Sequence, residues 1–229
     1  MSSLCVIPAR GGSKRIPRKN IKEFCGRPII AYSIEAALDS HLFDEVVVST
    51  DDIEIAEVAH RYGASVPFMR SEEASGDFAT ATDALNEVLA RYADRGAEPE
   101  WICCLYATAP FVTAEKLRSA YALFDPKGAD CLCAVTEFEF PPLRAFRREG
   151  DKLVYNFPKY AKTRSQDLEP LYRDAGQFYF YGKDAISDSG IQPASFICYE
   201  VPQVEVQDID TSSDWEVAKL KYRHMLDNV

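Results

Sequence analysis

The chain has 229 residues, of which 47% are hydrophobic and 27% are charged, so it suits one globular α/β domain or one domain with a sizeable insertion. Its formal net charge of −10 argues against duplex nucleic acid or an anionic membrane as the main partner, although a locally basic pocket can still bind a small anion. No apolar run reaches the roughly 20 residues of a membrane span, and neither a secretory signal nor a metal-ligand spacing of Cys and His is evident. We therefore expect a cytoplasmic protein that binds neither nucleic acid nor membranes.

The first part of the chain alternates between strand and helix patterns. Short apolar runs predict buried strands at 4–7, 45–49, 65–69, 101–106 and 130–135. Helical spacing of apolar residues predicts four helices between and after them, of which the first begins at Pro28, the second ends at Gly63 and the fourth is capped by Thr113. This alternation predicts an α/β fold with a mostly parallel, Rossmann-like sheet flanked by helices. In such sheets ligands bind beyond the carboxyl ends of the strands.

The alternation stops near residue 137. Residues 137–171 contain four prolines, mixed charge and several aromatic side chains, which predicts an insertion rather than another strand–helix unit. Two interpretations stay open for it, an arm that contacts a partner and a surface flap. Strand patterns resume at 177–181 and 196–201, and a capping box at 213–216 predicts the start of a terminal helix.

A basic loop follows the first strand. Between residues 10 and 20 it contains two glycines, Ser13, five cationic side chains and no acid. Glycines let backbone N–H groups approach an anion, and each cation about 4 Å from a phosphate contributes a few kcal/mol, so we expect the loop to hold a nucleoside triphosphate. Its spacing differs from the P-loop and from the Gly-x-Gly-x-x-Gly dinucleotide motif. The alternative is a solvated basic turn. The five cations are Arg10, Lys14, Arg15, Arg18 and Lys19.

Two aspartates lie near the end of the chain. Strand alternation over 204–210 would place Val204, Val206, Asp208 and Asp210 on one face, with the two carboxylates roughly 6.5–7 Å apart. Carboxylate oxygens beside phosphates suit Mg²⁺, so we expect Asp208 and Asp210 to hold this ion. The alternative is a strand end at which Asp210 turns the chain into the following helix.

Smaller signals accompany these two motifs. Asp77, Thr80 and Thr82 are typical of a cap on the third helix, and Arg70 follows the predicted third strand at the ligand end. Arg164 and Gln166 suit a carboxylate clamp, because the Arg fork matches a carboxylate, or else lie in a solvated loop.

The order of these motifs resembles the CMP-sialic acid synthetase family, the cytidylyltransferases that activate nine-carbon keto-sugar acids. The resemblance rests on residues 7–20, 48–51, 70–77 and 208–210 and covers nearly the whole chain. It implies one nucleotidyltransferase domain, residues 1–229, of the nucleotide-diphospho-sugar transferase type. It also implies a homodimer in which the arm, about residues 137–171, reaches the partner's site. The implied reaction joins CTP and the sugar acid into a CMP-sugar and diphosphate, with Mg²⁺.

The resemblance also implies a role for individual residues. Catalytic cations would be Arg10, Lys14 and Lys19, and the metal ligands Asp208 and Asp210. The sugar acid would contact Tyr106, Arg164, Gln166 and Gln177. The nucleotide-binding residues would be Ala9, Arg10, Gly11, Gly12, Ser13, Lys14, Asn20, Arg70, Asp77 and Thr80.

Residues 105–110 differ from the sialic acid enzymes of this type. The sequence is Leu-Tyr-Ala-Thr-Ala-Pro, with Tyr106 where those enzymes usually carry Gln. Together with residues 163–168 and 174–179, this segment is similar to the branch of the family that activates pseudaminic acid. A sialic or legionaminic acid enzyme is the alternative within the family. A non-catalytic nucleotide-binding or assembly protein is the alternative of another class, and a glycosyltransferase has less support because the aspartate pair lies near the chain end.

Overall fold

The computed structural model describes residues 1–124, 130–187, 190–191 and 193–227. The strands of this part are β1 (Ser3–Pro8), β2 (Glu23–Phe24), β3 (Arg27–Pro28), β4 (Glu45–Ser49), β5 (Trp101–Leu105), β6 (Cys131–Glu137), β7 (Phe146–Glu149), β8 (Lys152–Tyr155), β9 (Tyr172–Gly182), β10 (Ile186–Ser187), β11 (Gly190–Ile191) and β12 (Phe196–Glu200). The α-helices are α1 (Ile29–Ser40), α2 (Ile53–Arg61), α3 (Glu72–Ser75), α4 (Ala81–Ala93), α5 (Ala114–Leu123) and α6 (Ser212–Asp227).

Six strands form the central sheet in the order β12-β6-β9-β5-β1-β4. All of them run parallel except β9, which is antiparallel to both neighbours, β5 and β6. Parallel neighbours need a crossover connection, and helices supply it between β1, β4 and β5. The chain enters β9 from the segment after β6, which contains no long helix, and an antiparallel pairing follows. The prediction of a mostly parallel α/β sheet flanked by helices is confirmed.

The sheet is buried on both faces. Alternate side chains of β1, such as Ile7 and Val6, enter two different apolar clusters, as strand alternation requires. The Ile7 side packs against α1, α2 and α5, and the Val6 side packs against α4. A third cluster joins α6 to the β2–β3 turn, where the rings of Phe24 and Trp215 lie 5.5 Å apart. This contact fixes the chain end beside the loop that follows β1.

Two predicted strands are absent from the described residues. Over 65–69 the pairing is limited to one bridge from Ser65 to Val47, because Pro67 has no N–H to donate to a ladder. Over 204–210 a 3₁₀ turn, Gln203–Glu205, replaces the start of the expected strand and follows Pro202, whose φ of −57° is typical of proline.

The expected alternation therefore fails, and Val204 is 52% exposed while Ile209 is buried.

The helix boundaries mostly follow the sequence signals. Pro28 precedes α1, Thr113 caps α5 and Gly63, at φ +93°, follows the end of α2. The terminal helix differs, because it begins at Ser212, so Ser213 lies inside the helix and is not its cap. Its cap is formed by Thr211 and Asp214, whose side chains and backbone N–H groups pair reciprocally.

Residues 138–171 lie outside the central sheet. They contain the β7–β8 hairpin and three 3₁₀ turns, Pro142–Arg144, Pro158–Tyr160 and Ser165–Asp167. Large apolar side chains are exposed along this segment, including Phe140 at 79% and Leu153 at 67%. Among all the residues that the structure describes, no helix has both the length and the apolarity needed to cross a membrane.

Candidate active site

A cavity of about 640 Å³ opens beyond the carboxyl ends of β1 and β5. This is the edge at which parallel α/β sheets bind ligands, and the volume lies in the range of small-molecule sites. The loop after β1 forms one wall, and the segment before α4 forms another. The lining residues are Pro8, Arg10, Gly12, Ser13, Lys14, Arg15, Ile16, Lys19, Asn20, Arg70, Asp77, Phe78, Ala79, Thr80, Ala81, Tyr106, Ala107, Thr108 and Asp210.

The loop is anchored at its back by the acids that follow β4. Asp51 Oδ1 accepts the N–H of Gly11 at 2.8 Å, and a Cβ at Gly11 would lie 2.6 Å from Asp52 Oδ2. Only glycine allows this approach. Arg18 adopts the left-handed conformation, with φ at 56°, and its guanidinium pairs with Asp52 and Glu54. One of the five loop cations is therefore structural.

The other four loop cations line the cavity, where each has a protein partner. Arg10 donates to the carbonyl of Gly76 at 2.9 Å, and Lys14 pairs with Asp77 at 2.5 Å. Both side chains of the Lys14 pair are more than half exposed, so water screens this ion pair and an incoming phosphate can compete with it. The loop cations therefore lie at a cavity wall that an anion can reach.

Lys19 is the least exposed of the loop cations that form ion pairs, with only 22% of its side chain exposed. Its Nζ donates to the carbonyl of Ile209 at 2.7 Å and lies 3.6 Å from Asp210. Arg15 contacts the same Asp210 carboxylate at 2.7 Å. The basic loop and the end of the chain therefore meet at Asp210, across almost the full length of the sequence.

Two further polar residues of the cavity wall are buried. Asn20 donates its amide to the carbonyl of Arg10 at 3.0 Å, which fixes the loop. Arg70 donates from Nε to Ser49 Oγ at 2.9 Å and also to the Ser49 carbonyl. Burial lowers the pKa of Arg70 from its usual value, with the nearby Asp51 opposing this effect. A buried guanidinium at the cavity wall is an electrostatic site for an anionic or carbonyl-rich ligand.

The structure separates the two aspartates of the predicted metal pair. Asp210 lines the cavity, whereas Asp208 is exposed and is not part of its wall. Asp210 also has its backbone N–H held by the Asp214 carboxylate, at 3.1 Å. The Asp210 carboxylate at the cavity wall is the donor type that Mg²⁺ uses together with phosphate oxygens, so this residue fits such an ion next to a bound triphosphate.

The predicted sugar residues lie in three different places. Tyr106 lines the cavity. Arg164 lies on the exposed segment, is 73% exposed and forms a bidentate pair with Asp167, and Gln166 belongs to the same turn. Gln177 is buried, and its amide donates to the carbonyl of Glu205 at 2.6 Å. Of these four residues, only Tyr106 lines the cavity of its own chain.

The predicted nucleotide residues divide in a similar way. Eight of them line the cavity, and Ala9 and Gly11 lie behind its wall. Thr80 both lines the cavity and caps α4, in a reciprocal capping box with Asp83, so its predicted capping role is confirmed. Asp77 does not join this cap and pairs with Lys14 instead.

Sequence patterns gave no signal for two features of the cavity. The ring of Phe78 is 99% exposed at the wall, which a periodic pattern cannot reveal because the residue lies in a turn before α4. Tyr179 donates a hydrogen bond to Asp174 across a bulge in β9, and its ring lies 5.7 Å from the ring of Tyr106. On a regular strand, residues five positions apart lie on opposite faces, so the sequence does not predict this contact.

A family model described as cytidylyltransferase matches residues 4–186. The chain belongs to the cytidylyltransferase family. Members of this family are nucleotidyltransferases, and the family resemblance that the sequence motifs indicate is confirmed.

Curated relatives span nearly the whole chain. The pseudaminic acid cytidylyltransferase of Campylobacter jejuni subsp. jejuni serotype O:23/36 (strain 81-176) is 47% identical over 226 residues, which cover 97% of each chain. The CMP-N,N'-diacetyllegionaminic acid synthase of Legionella pneumophila is 32% identical and covers 96% of this chain and 95% of its own. N-acylneuraminate cytidylyltransferase A of Danio rerio is 35% identical over 93% of this chain but only 49% of its own length.

The fold also has relatives among solved structures. A CMP:2-keto-3-deoxy-manno-octonic acid synthetase complexed with CTP matches over 100% of both chains, with a TM-score of 0.69 and 19% identity. At this identity the likeness shows the nucleotidyltransferase fold alone.

Proposed function

We propose that the enzyme transfers CMP from CTP to pseudaminic acid and releases diphosphate. The observation that carries this proposal is the cationic cavity at the carboxyl edge of the sheet, in a chain 47% identical over 97% of its length to an enzyme named for pseudaminic acid. The anomeric hydroxyl oxygen of the sugar acid attacks the α-phosphorus. The bond from that phosphorus to the bridging oxygen of the departing diphosphate breaks as the new bond forms.

The loop cations supply the charge that this reaction needs. Lys14 and Arg10 are held by a surface carboxylate and a carbonyl, which the triphosphate replaces on binding. Lys19 is already fixed beneath the cavity by the Ile209 carbonyl. Fixed cations stabilise the negative charge that moves onto diphosphate without reorganising during the reaction. Arg70 and Asn20 position the nucleotide on the buried side.

Mg²⁺ is the cofactor we propose. Asp210, with Asp208 two residues earlier, would hold the ion where the chain end meets the loop. When bound, the ion would supply positive charge that neutralises part of the charge of the triphosphate. Arg15 and Lys19 contact the Asp210 carboxylate, so this carboxylate lies among the cations of the loop.

We also propose a homodimer in which residues 137–171 act as a dimerisation arm of a single domain, 1–229. Arg164 and Gln166 are exposed and do not line the cavity of their own chain, so we propose that they contact the sugar acid bound to the partner chain. Exposed Phe140, Phe146 and Leu153 supply apolar area on the same segment. The seven free cysteines fit a reducing compartment, in line with a cytoplasmic location.

A diphosphate-release assay tests the proposal. Purified protein with Mg²⁺ is given CTP and pseudaminic, legionaminic or N-acetylneuraminic acid in parallel, and products are identified by mass. CMP-pseudaminic acid as the preferred product supports the proposal. Preference for either other acid replaces the acceptor while keeping the chemistry, and CTP binding without diphosphate release from any acid indicates a non-catalytic nucleotide-binding protein.

A further inference from the structure

A smaller cavity, of about 260 Å³, opens at the carboxyl ends of β6 and β12, where the proposed arm leaves the sheet. We call it the acidic groove, because three exposed glutamates line it: Glu137 at the end of β6, Glu139 two positions later and Glu200 at the end of β12. Within the described ranges, no cationic side chain lies within 4.0 Å of these carboxylates. The groove therefore holds three unpaired negative charges.

Two cations of the same chain lie near the acidic groove but bind elsewhere. Arg173 and Lys221 line an adjacent cavity that shares Glu139 with the groove. Arg173 donates to the backbone carbonyl of Asp174 at 3.4 Å, and Lys221 donates to that of Val206 at 2.7 Å. Because both cations are directed to carbonyl oxygens, they leave the carboxylates of the groove available to an external cation.

The buried wall of the acidic groove also contains an unpaired polar group. Thr136 lines the groove and is 0% exposed, and its Oγ1 has no hydrogen-bond partner in the described part of the chain. Buried hydroxyl groups in proteins are hydrogen-bonded in the large majority of cases. The unpaired hydroxyl indicates that the groove receives a polar group that the described residues of this chain do not supply.

The arm carries the opposite charge. Residues 144–164, which we call the arm tip, contain seven cations and two acids, a net charge of +5 against −10 for the whole chain. Three exposed lysines of the arm tip have no carboxylate within 4.0 Å among the residues that the structure describes. They are Lys152, Lys159 and Lys162. The unpaired lysines of the arm tip thus equal the unpaired glutamates of the groove in number.

A second copy of this chain fits both surfaces at once. In a two-fold dimer, a contact from the arm tip of one chain to the acidic groove of the other occurs twice. Exposed ion pairs are individually weak, so the exposed apolar side chains of the arm, such as Phe140 and Leu153, supply most of the affinity. Complementary charges determine which surfaces meet and how fast they associate.

We propose that the acidic groove is the docking site for the arm tip of a second copy of this chain, with the three lysines of one protomer facing the three glutamates of its partner. This inference rests on the homodimer of the proposed function and names the surface on which the arm lies. β12, β6, β5 and β1 all run in the same direction, so the groove and the larger cavity lie at the same edge of the sheet. An arm docked in the groove therefore lies at the edge where the partner's cavity opens.

The test is a charge exchange between two triple variants. One variant reverses the charges of the groove, by Glu137→Lys, Glu139→Lys and Glu200→Lys. The other reverses those of the arm tip, by Lys152→Glu, Lys159→Glu and Lys162→Glu. Sedimentation velocity over a protein concentration series measures association, and melting curves verify that each variant is folded. We expect the dimer dissociation constant of each variant alone to rise by roughly 10²-fold or more, because like charges then face each other.

An equimolar mixture of the two variants should regain the native dissociation constant, because both contacts of the mixed dimer then join opposite charges. The matched control reverses three exposed acids outside the groove, by Glu57→Lys, Asp94→Lys and Glu98→Lys, and should dimerise like the native protein. Since the control has the same net charge as the groove variant, it separates a local contact from a general effect of charge.

Native dissociation constants in both triple variants would overturn the docking site and leave the homodimer intact, as would two monomeric variants that fail to associate when mixed. A native protein that is monomeric throughout the concentration series would overturn both the docking site and the homodimer. The formation of CMP-sugar by the native protein is measured separately, so the proposed reaction is judged independently of either result.

Discussion

At the residue scale, Lys19 gives the clearest test of the proposed electrostatic role of the basic loop. It is the least exposed of the ion-paired loop cations, and its Nζ is held 2.7 Å from the Ile209 carbonyl. Lys19→Met should lower kcat by roughly 10²–10³-fold, the cost of removing one fixed donor to developing charge, with little change in thermal stability. Steady-state kinetics and a melting curve measure the two effects.

Lys22→Met is the matched control for this change. Lys22 lies three residues on, and its Nζ sits 4.8 Å from the Trp215 ring centroid, outside the cavity wall. It should keep the native kcat. Equal losses in both variants would show that general positive charge, and not the position of Lys19, sets the rate.

The exposed ring of Phe78 is available to stack against a ligand. Its ring is 99% exposed at the cavity wall, so it contributes nothing to the core. A nucleobase stacked on an aromatic ring gains about 1–3 kcal/mol, so Phe78→Ser should raise KM for CTP by roughly tenfold or more without lowering Tm. Phe196→Ser, at an equally apolar but distant position of β12 that is 66% exposed, should leave KM unchanged. An unchanged KM in Phe78→Ser would remove the ring from nucleotide binding.

At the element scale, the start of α2 holds the basic loop. Asp52 caps α2 through the N–H groups of Glu54 and Ile55 and pairs with Arg18 of the loop. The Arg18 guanidinium, with the helix N–H groups, lowers the pKa of Asp52 below its usual range. Because the folded-state pKa is lowered, the charge stabilises the fold above the unfolded pKa of about 3.9 and loses this effect as pH falls through the folded value.

Asp52→Asn isolates this charge, because Asn also caps helices well. We expect the free energy of unfolding to fall by about 1 kcal/mol at neutral pH, a modest value because Arg18 is 38% exposed and screened. The difference from the native protein should fade below about pH 4. Chemical denaturation at several pH values measures it, and a pH-independent difference would contradict the ion-pair account.

The elements that the sequence predicted correctly are those specified locally. The strands at 4–7, 45–49 and 101–106 are continuous apolar runs buried on both faces, and Thr113 and Gly63 mark helix ends through their own chemistry. The elements predicted wrongly depend on distant partners. Residues 65–69 have a strand-like composition but find only one bridge.

The candidate site shows the same division. The cations and glycines of the loop could be predicted as site residues because they cluster in the sequence, and most of them line the cavity. The aspartates were expected beside the loop as metal ligands next to phosphate, but no sequence pattern indicated the direct contact of Lys19 with Asp210, across 191 positions. The Tyr179–Asp174 contact could not be predicted from the sequence, because a bulge in β9 breaks the regular alternation of strand side chains.

At the scale of the whole molecule, the proposed dimer predicts shared active sites. Lys19 belongs to the cavity of its own chain, whereas Arg164 would serve the cavity of the partner. Lys19→Met and Arg164→Ala should each be nearly inactive alone. Co-expressed, they should recover roughly a quarter of native activity, because half of randomly paired two-fold dimers contain one intact site. No recovery in verified mixed dimers would show that the arm does not act across the interface.

Conversion of CTP and pseudaminic acid tests the central claim most directly. The purified native protein with Mg²⁺ should form CMP-pseudaminic acid and diphosphate in equal amounts, should prefer CTP over ATP, GTP and UTP, and should lose turnover in Asp210→Asn while keeping its native melting temperature. Diphosphate release that does not depend on the sugar acid, or no CMP-sugar from verified pseudaminic acid, would contradict the account.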